Sequence, residues 1–151
     1  MSFVTSMRCS KCSTTYDPLL IPVMCDRDDL GRLDISYDYE RAKETLTAES
    51  LRSRPTDVWR WEELLPARAK YAARLCEGGT PLIRAHRLGE LLGIRELYLK
   101  DETRNPTGSF KDRAMAVSVA KAVEKEVRTV TTASSGNAAS RYANGSPAIS
   151  L

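Results

Sequence analysis

Lys111 stands in the densest chemical company of the sequence. It lies within YLKDETRNPTGSFKDRA, from Tyr98 to Ala114. Gly108 and Ser109 form a turn that leads into a helix expected from about Ser109 to Glu126. Ser109 can cap that helix, with Asp112 three positions on as its acidic reciprocal partner. Lys111 then falls in the first turn. A helix N-terminus disfavours positive charge, which is the condition an amine nucleophile needs. By composition alone the residue also reads as a solvated surface lysine. Its neighbours set it apart: Phe110 before it, Gly and Ser before that, and a second glycine loop further on.

That second loop is TTASSGNAAS, from Thr131 to Ser140. A strand is expected to end at about Thr132, so that Ser134, Ser135, Gly136 and Asn137 meet the N-terminus of the next helix. Backbone N–H groups left over at such a place favour an anion, for instance a substrate carboxylate. Asn137 adds an amide donor. Simple N-capping by Ser134, Ser135 or Asn137 explains the same spacing.

A third constellation is the CSKC hook of Cys9 and Cys12. Two thiolates at this spacing can grip one Zn²⁺, and Cys25 is a third candidate ligand. Where a second hook would end there is Asp28 or Asp29, not cysteine, and His86, the one histidine, lies far along the chain. A carboxylate is a harder ligand than structural zinc usually takes, so Cys9, Cys12 and Cys25 are expected to carry at most a weak metal site. The alternatives are a zinc-ribbon relic held by ordinary packing, or a redox dithiol. No thioredoxin-like βαβ pattern follows to support the dithiol. Cys76 is remote from the others and is expected as a buried or half-buried thiol.

The elements that must position these groups come from a chain of 151 residues, 42% hydrophobic and 28% charged, with a formal charge of +3. This composition is that of a folded domain. The charge excess is too small to argue for a nucleic-acid partner, and no apolar run approaches the roughly 20 residues that span a bilayer. The start, MSFVTSMRCSKC, has no apolar signal segment, so the expected compartment is the cytoplasm. DISYDYE alternates as a half-buried strand, followed by a helix over about 40–52. Trp59 and Trp61 sit between Pro55 and Pro66 in a connector that they anchor. A short helix is expected from Ala67 to Cys76, and another over Leu88, Leu91 and Leu92, closed by Gly93. Leu97–Leu99 reads as a strand ending at Lys100. The Lys111 helix follows, with Phe110, Met115, Val119 and Val123 as its apolar face. VRTVTT reads as the next strand. Helix and strand alternate as in a parallel sheet with covered faces, strands 95–100 and 127–132 being parallel neighbours. After Ala139 the chain reads SRYANGSPAISL, where Asn144, Gly145, Ser146 and Pro147 break the opened helix. The architecture therefore reads as incomplete, with a truncated or frame-shifted tail. The segments expected are 1–39, an appendage with a first strand; 40–83, a helical connector; 84–139, a partial α/β domain; and 140–151, an aberrant tail.

GGTPL at Gly78–Leu82, LYLKDETRNPTGSFKDR at Leu97–Arg113 and TASSGNAA at Thr132–Ala139 resemble the fold type II pyridoxal-phosphate enzymes of the tryptophan-synthase-β-like family. Within it, the resemblance points to threonine synthases, with cysteate-synthase-like relatives as the neighbouring choice. It extends to about Ser140 and includes the CSKC hook and the DISYDY strand. The implied fold is a partial three-layer parallel α/β sheet with a zinc-ribbon-like appendage. The implied cofactor is pyridoxal 5'-phosphate, held covalently by Lys111, with Phe110 as helix-packing neighbour and Asn137 on the phenolic oxygen. Ser134, Ser135 and Gly136 match the loop for the substrate carboxylate. The implied substrate is O-phospho-L-homoserine, converted with water to L-threonine and phosphate. The family's glycine-rich phosphate cup and the hook's fourth cysteine have no counterpart in this sequence. A non-catalytic remnant or protein-association module is therefore a second reading, and a small zinc module a third. A homo-oligomer, or a separate carboxy-terminal portion, would be the partner that completes the site.

Overall fold

The computed structural model describes residues 2–19, 24–27, 30–131 and 136–137. The chain divides into two compact units, Met1–Pro55 with Trp59–Ala69, and Thr56–Val58 with Lys70–Leu151.

The first unit is built on a three-stranded antiparallel sheet. Its strands are β1 (Val4–Cys9), β2 (Thr15–Tyr16) and β3 (Leu33–Tyr37), in the order β2-β1-β3. Met7 faces Tyr16 on one side and Ile35 on the other, and Arg8 sits opposite Asp34. The expected 40–52 helix is two helices, α1 (Tyr39–Thr45) and α2 (Ala48–Ser53). The break has a local cause. Thr47 accepts the Ser50 N–H while the Ser50 hydroxyl takes the Thr47 N–H, and this capping box starts a new helix. A 3₁₀ segment, Val58–Leu64, carries both tryptophans. Trp59 is buried and anchors it, whereas Trp61 is exposed. The core also holds Phe3, Cys9, Cys25, Ala42 and Ala67. The Arg41 guanidinium lies 4.5 Å from the centre of the Phe3 ring.

Inside this core Glu63 meets Arg54 through two bonds, Nη2 to Oε1 at 2.6 Å and Nη1 to Oε2 at 2.8 Å. Arg54 also donates to the Arg60 carbonyl oxygen at 2.7 Å. Arg54 beside it holds the Glu63 carboxyl down at about 2, against the opposing effect of burial.

In the second unit, β4 (Leu82–Arg84) and β5 (Tyr98–Lys100) pair antiparallel, with Ile83 opposite Leu99. Between them runs α3 (His86–Leu92), closed by Gly93 in the left-handed conformation at φ +67°. The strands described pair antiparallel, and the expected parallel pairing of 95–100 with 127–132 is not among these pairs. Seven helical residues and a glycine cap reverse the chain, and the Ala85 N–H bonds the Leu97 carbonyl at 2.9 Å. The strand after α3 is thereby delivered alongside the one before it, in the opposite direction. The 127–132 strand is not among the described strands.

Two smaller expectations also change. The helix from Ala67 to Cys76 is a 3₁₀ turn, Ala69–Tyr71. Cys76 is exposed rather than buried. It takes φ +62° in the turn before the glycine pair, while Glu77 beside it is fully buried. Gly79 has φ +61°, and a Cβ there would collide with the Thr56 carbonyl oxygen.

A 3₁₀ turn, Glu102–Arg104, follows β5, and α4 (Lys111–Glu124) comes next. The buried face of α4 is Asp112, Ala116, Val119 and Ala120. Phe110, expected on that face, is exposed and stands at the N-cap position of α4. No helix of the described residues is long and apolar enough to cross a membrane.

Candidate active site and thiol cluster

Lys111 opens α4, and its position is set by the turn before it. Its N–H reaches the Ser109 hydroxyl at 3.3 Å, and the Asp112 N–H bonds the Ser109 carbonyl at 3.2 Å. The expected Ser109–Asp112 capping box does not form. The Asp112 carboxylate, fully buried, instead accepts the Thr107 N–H at 2.8 Å and the Thr107 hydroxyl at 2.6 Å. The positive φ of Gly108, +70°, turns the chain so that Thr107 sits over the acid. The result is the same in function: the first turn of α4 is tied to the loop preceding it.

A second set of bonds fixes this helix to the GGT segment. Arg113 grips Glu102 in fork geometry, Nε to Oε2 at 2.8 Å and Nη2 to Oε1 at 2.9 Å. Arg113 also donates to the Thr80 hydroxyl at 3.0 Å, and Thr80 donates to Glu102 at 2.6 Å. Asn105, itself buried, gives its amide hydrogens to Glu102 and accepts the Gly78 N–H at 2.9 Å. The Lys100 ammonium donates to the Thr80 carbonyl oxygen. Arg113 first, then Thr80 and Asn105, hold the Glu102 carboxyl at about 2. Thr80, Glu102, Asn105 and Arg113 are positioning residues that sequence reasoning did not single out. The available signal was the crowding of polar side chains and turn glycines in GGTPL and KDETRNPTG.

Beside this network lies an open cleft of about 640 Å³. Leu99, Glu102, Thr103, Ser109 and Phe110 line it, and so does Asn137. The structure thus brings Asn137 to the segment immediately before Lys111, although 26 positions of sequence separate the two residues. Lys111 is exposed at the head of α4 and is not itself a lining residue. Gly136 is described and exposed, whereas Ser134 and Ser135 lie outside the described residues. The lining offers the Asn137 amide and the Phe110 ring, and the lysine within it is Lys100, while Lys111 stands one residue beyond the lining.

The thiol cluster belongs to the first unit. Cys9 ends β1, and the tight turn to β2 returns Cys12 toward it. The Cys9 N–H bonds the Thr14 carbonyl at 2.9 Å, and Ser13 takes φ +61°. Cys25 is brought in by its own N–H bond to the Gly31 carbonyl at 3.1 Å. The three sulfurs lie within 4.8 Å of one another. Cys12 Sγ is 3.5 Å from Cys25 Sγ. The Tyr16 hydroxyl lies 3.1 Å from Cys25 Sγ and donates to Asp26 at 2.6 Å. Asp28 and Asp29, the expected fourth ligands, lie outside the described residues. None of the four cysteines is in a disulfide.

Residues 73–146 match the family described as pyridoxal-phosphate dependent enzyme. A threonine synthase of Methanocaldococcus jannaschii is 48% identical over 137 residues, which are 90% of this chain and 33% of that protein. The threonine synthase of Methanosarcina acetivorans is 41% identical over 137 residues, 91% of this chain and 33% of its own length. That of Halalkalibacterium halodurans is 52% identical over 63 residues, covering 42% of this chain and 18% of the relative. No solved structure matches. The chain spans about a third of the length of the first two relatives, 33% in each case. With the lysine segment lying inside the longer matches, the chain is homologous to about a third of these threonine synthases, and residues 73–146 resemble the pyridoxal-phosphate dependent enzyme family.

Proposed function

We propose that this chain carries the lysine-bearing part of a threonine synthase site, acting on O-phospho-L-homoserine and water to give L-threonine and phosphate. The observation that carries the reading is the cleft in which Asn137 meets the Ser109–Phe110 segment leading into Lys111. Pyridoxal phosphate, when bound, supplies the electron sink that stabilises carbanions. Lys111 would hold the cofactor and move protons at Cα and Cβ of the substrate. Asn137 would orient the ring through its amide. Ser134, Ser135 and Gly136 would receive the substrate carboxylate through backbone N–H groups. The Glu102–Arg113 pair keeps α4 seated while Lys111 changes partners. On this reading the compartment is the cytoplasm.

The test is site-selective labelling. The purified chain is incubated with pyridoxal phosphate, reduced with borohydride and mapped by peptide mass spectrometry. The pyridoxyl group is expected on Lys111 ahead of the other lysines, and Lys111→Ala is expected to leave no preferred site. Even labelling across the lysines would sink the assignment. By itself the 151-residue chain is expected to release no phosphate and threonine from O-phospho-L-homoserine. Turnover needs the ring and substrate fixed in a protected pocket, and the cleft among the described residues is open.

A further inference from the structure

We infer that Arg84, His86 and Arg95 form a binding site for a small phosphate-bearing anion. The three come from successive pieces of the second unit. Arg84 ends β4, His86 opens α3, and Arg95 lies in the segment between α3 and β5. They line one groove of about 390 Å³, together with Gly89, Glu90 and Gly93. Among the described residues this groove shares no lining with the cleft before Lys111. Its size is that of a site for a small phosphorylated molecule.

The backbone brings the cationic groups together. After the left-handed Gly93, the Ile94 N–H returns to the Gly89 carbonyl at 2.8 Å. A Cβ at position 89 would stand 2.7 Å from the Ile94 carbonyl oxygen, so the stretch leading into Arg95 can lie against α3 only over a glycine. The same turn removes a repulsive feature. The Gly89 and Glu90 carbonyls, at the negative end of α3, are already taken by the Ile94 and Gly93 N–H groups. A Cβ at Gly93 would meet nothing within 4 Å, so the groove is open there.

The charges are arranged for an anion. Arg84 donates from Nη2 to Glu96 at 2.7 Å, and the other Glu96 oxygen accepts the Tyr98 hydroxyl at 2.8 Å. Glu96 thus steadies the Arg84 guanidinium through one nitrogen and leaves the rest of its N–H fork to a ligand. Glu90, the one carboxylate of the lining, lies 3.9 Å from His86 Nδ1 and so faces the imidazole. Arg95 forms no ion pair among the described residues. Two planar guanidiniums on one groove match the oxygens of a phosphate group.

The test titrates the full, ¹⁵N-labelled chain with inorganic pyrophosphate at constant ionic strength and follows the backbone amides. Expected are saturable shifts at Gly89, Gly93, Ile94 and Arg95, with one pyrophosphate per chain. Arg84→Gln and Arg95→Gln are each expected to weaken binding at least about tenfold, the loss of one charge-assisted contact. Arg95 is exposed and outside any helix or strand, so its variant separates ligand loss from misfolding. Arg128→Gln removes an exposed arginine that is not in the lining and is expected to titrate like the parent chain. The readout is independent of Lys111 labelling. No saturable shift, shifts confined to the head of α4, or an equal loss in Arg128→Gln would overturn the inference.

Discussion

The two units each contain an arginine that forks onto a glutamate, and the two pairs do different jobs. Arg54 and Glu63 lie nine positions apart in the first unit, and the carboxylate is deeply buried, with its side chain 5% exposed. Arg113 and Glu102 lie eleven apart in the second unit, with side chains 30% and 25% exposed. Both carboxyls are held at about 2. The first pair staples the 3₁₀ segment to the stretch before it and sits among core residues. The second is a junction, because Thr80 and Asn105 converge on the same glutamate and Arg113 is on the helix that Lys111 opens. Equal local chemistry thus serves folding in one place and site geometry in the other.

The largest expected effect is in the buried pair. Arg54→Ala should cost about 3–5 kcal/mol in denaturant unfolding, since it strands a buried carboxylate. The penalty should depend on pH in a defined direction. The Glu63 carboxyl is depressed from an ordinary 4.5 to about 2, so its stabilisation is full above 4.5 and fades as pH falls toward 2. The difference between parent and variant should shrink across that window, and a constant difference would show that Arg54 acts through packing alone. Labelling of Lys111 by pyridoxal phosphate should survive in this variant wherever it remains folded.

Arg113→Ala should cost less, about 2 kcal/mol, because its charge-assisted bonds are half-open to water and Glu102 keeps Thr80 and Asn105. It should, however, lower the preference of pyridoxal phosphate for Lys111 several-fold at temperatures where the chain is folded. If Arg54→Ala lowered that preference and Arg113→Ala did not, the division of labour between the pairs would be reversed.

The smallest effect is at the boundary between α1 and α2. Thr47→Ala removes the cap that starts α2 and should cost about 1 kcal/mol, read as a lower thermal midpoint. No change in Lys111 labelling is expected. A larger loss would mean that this break in the helix is part of the core's design rather than a local cap.

What was legible in the sequence is local. The strand at DISYDY, the left-handed stop at Gly93, the α4 segment and the CSKC turn are all dictated within a few residues, by alternation, caps and glycines. The chemistry of Lys111 and Asn137 was legible as residue type and motif. The cysteines were legible as a hook and a third thiol, but only the folded turns show that the three sulfurs meet. Periodicity could not tell which way β5 would run. Alternating helix and strand does not show that Leu82–Arg84 is itself a strand, and it is the one that pairs antiparallel with β5. The apolar count favoured Phe110 as a core residue, yet it is exposed while Asp112, two positions on, is fully buried. Glu102 and Arg113 were ordinary charges in a charged run until the fold brought Thr80 and Asn105 onto them. Which polar side chains converge depends on contacts between distant segments, such as the 22 positions between Thr80 and Glu102, and no local rule of sequence contains that distance.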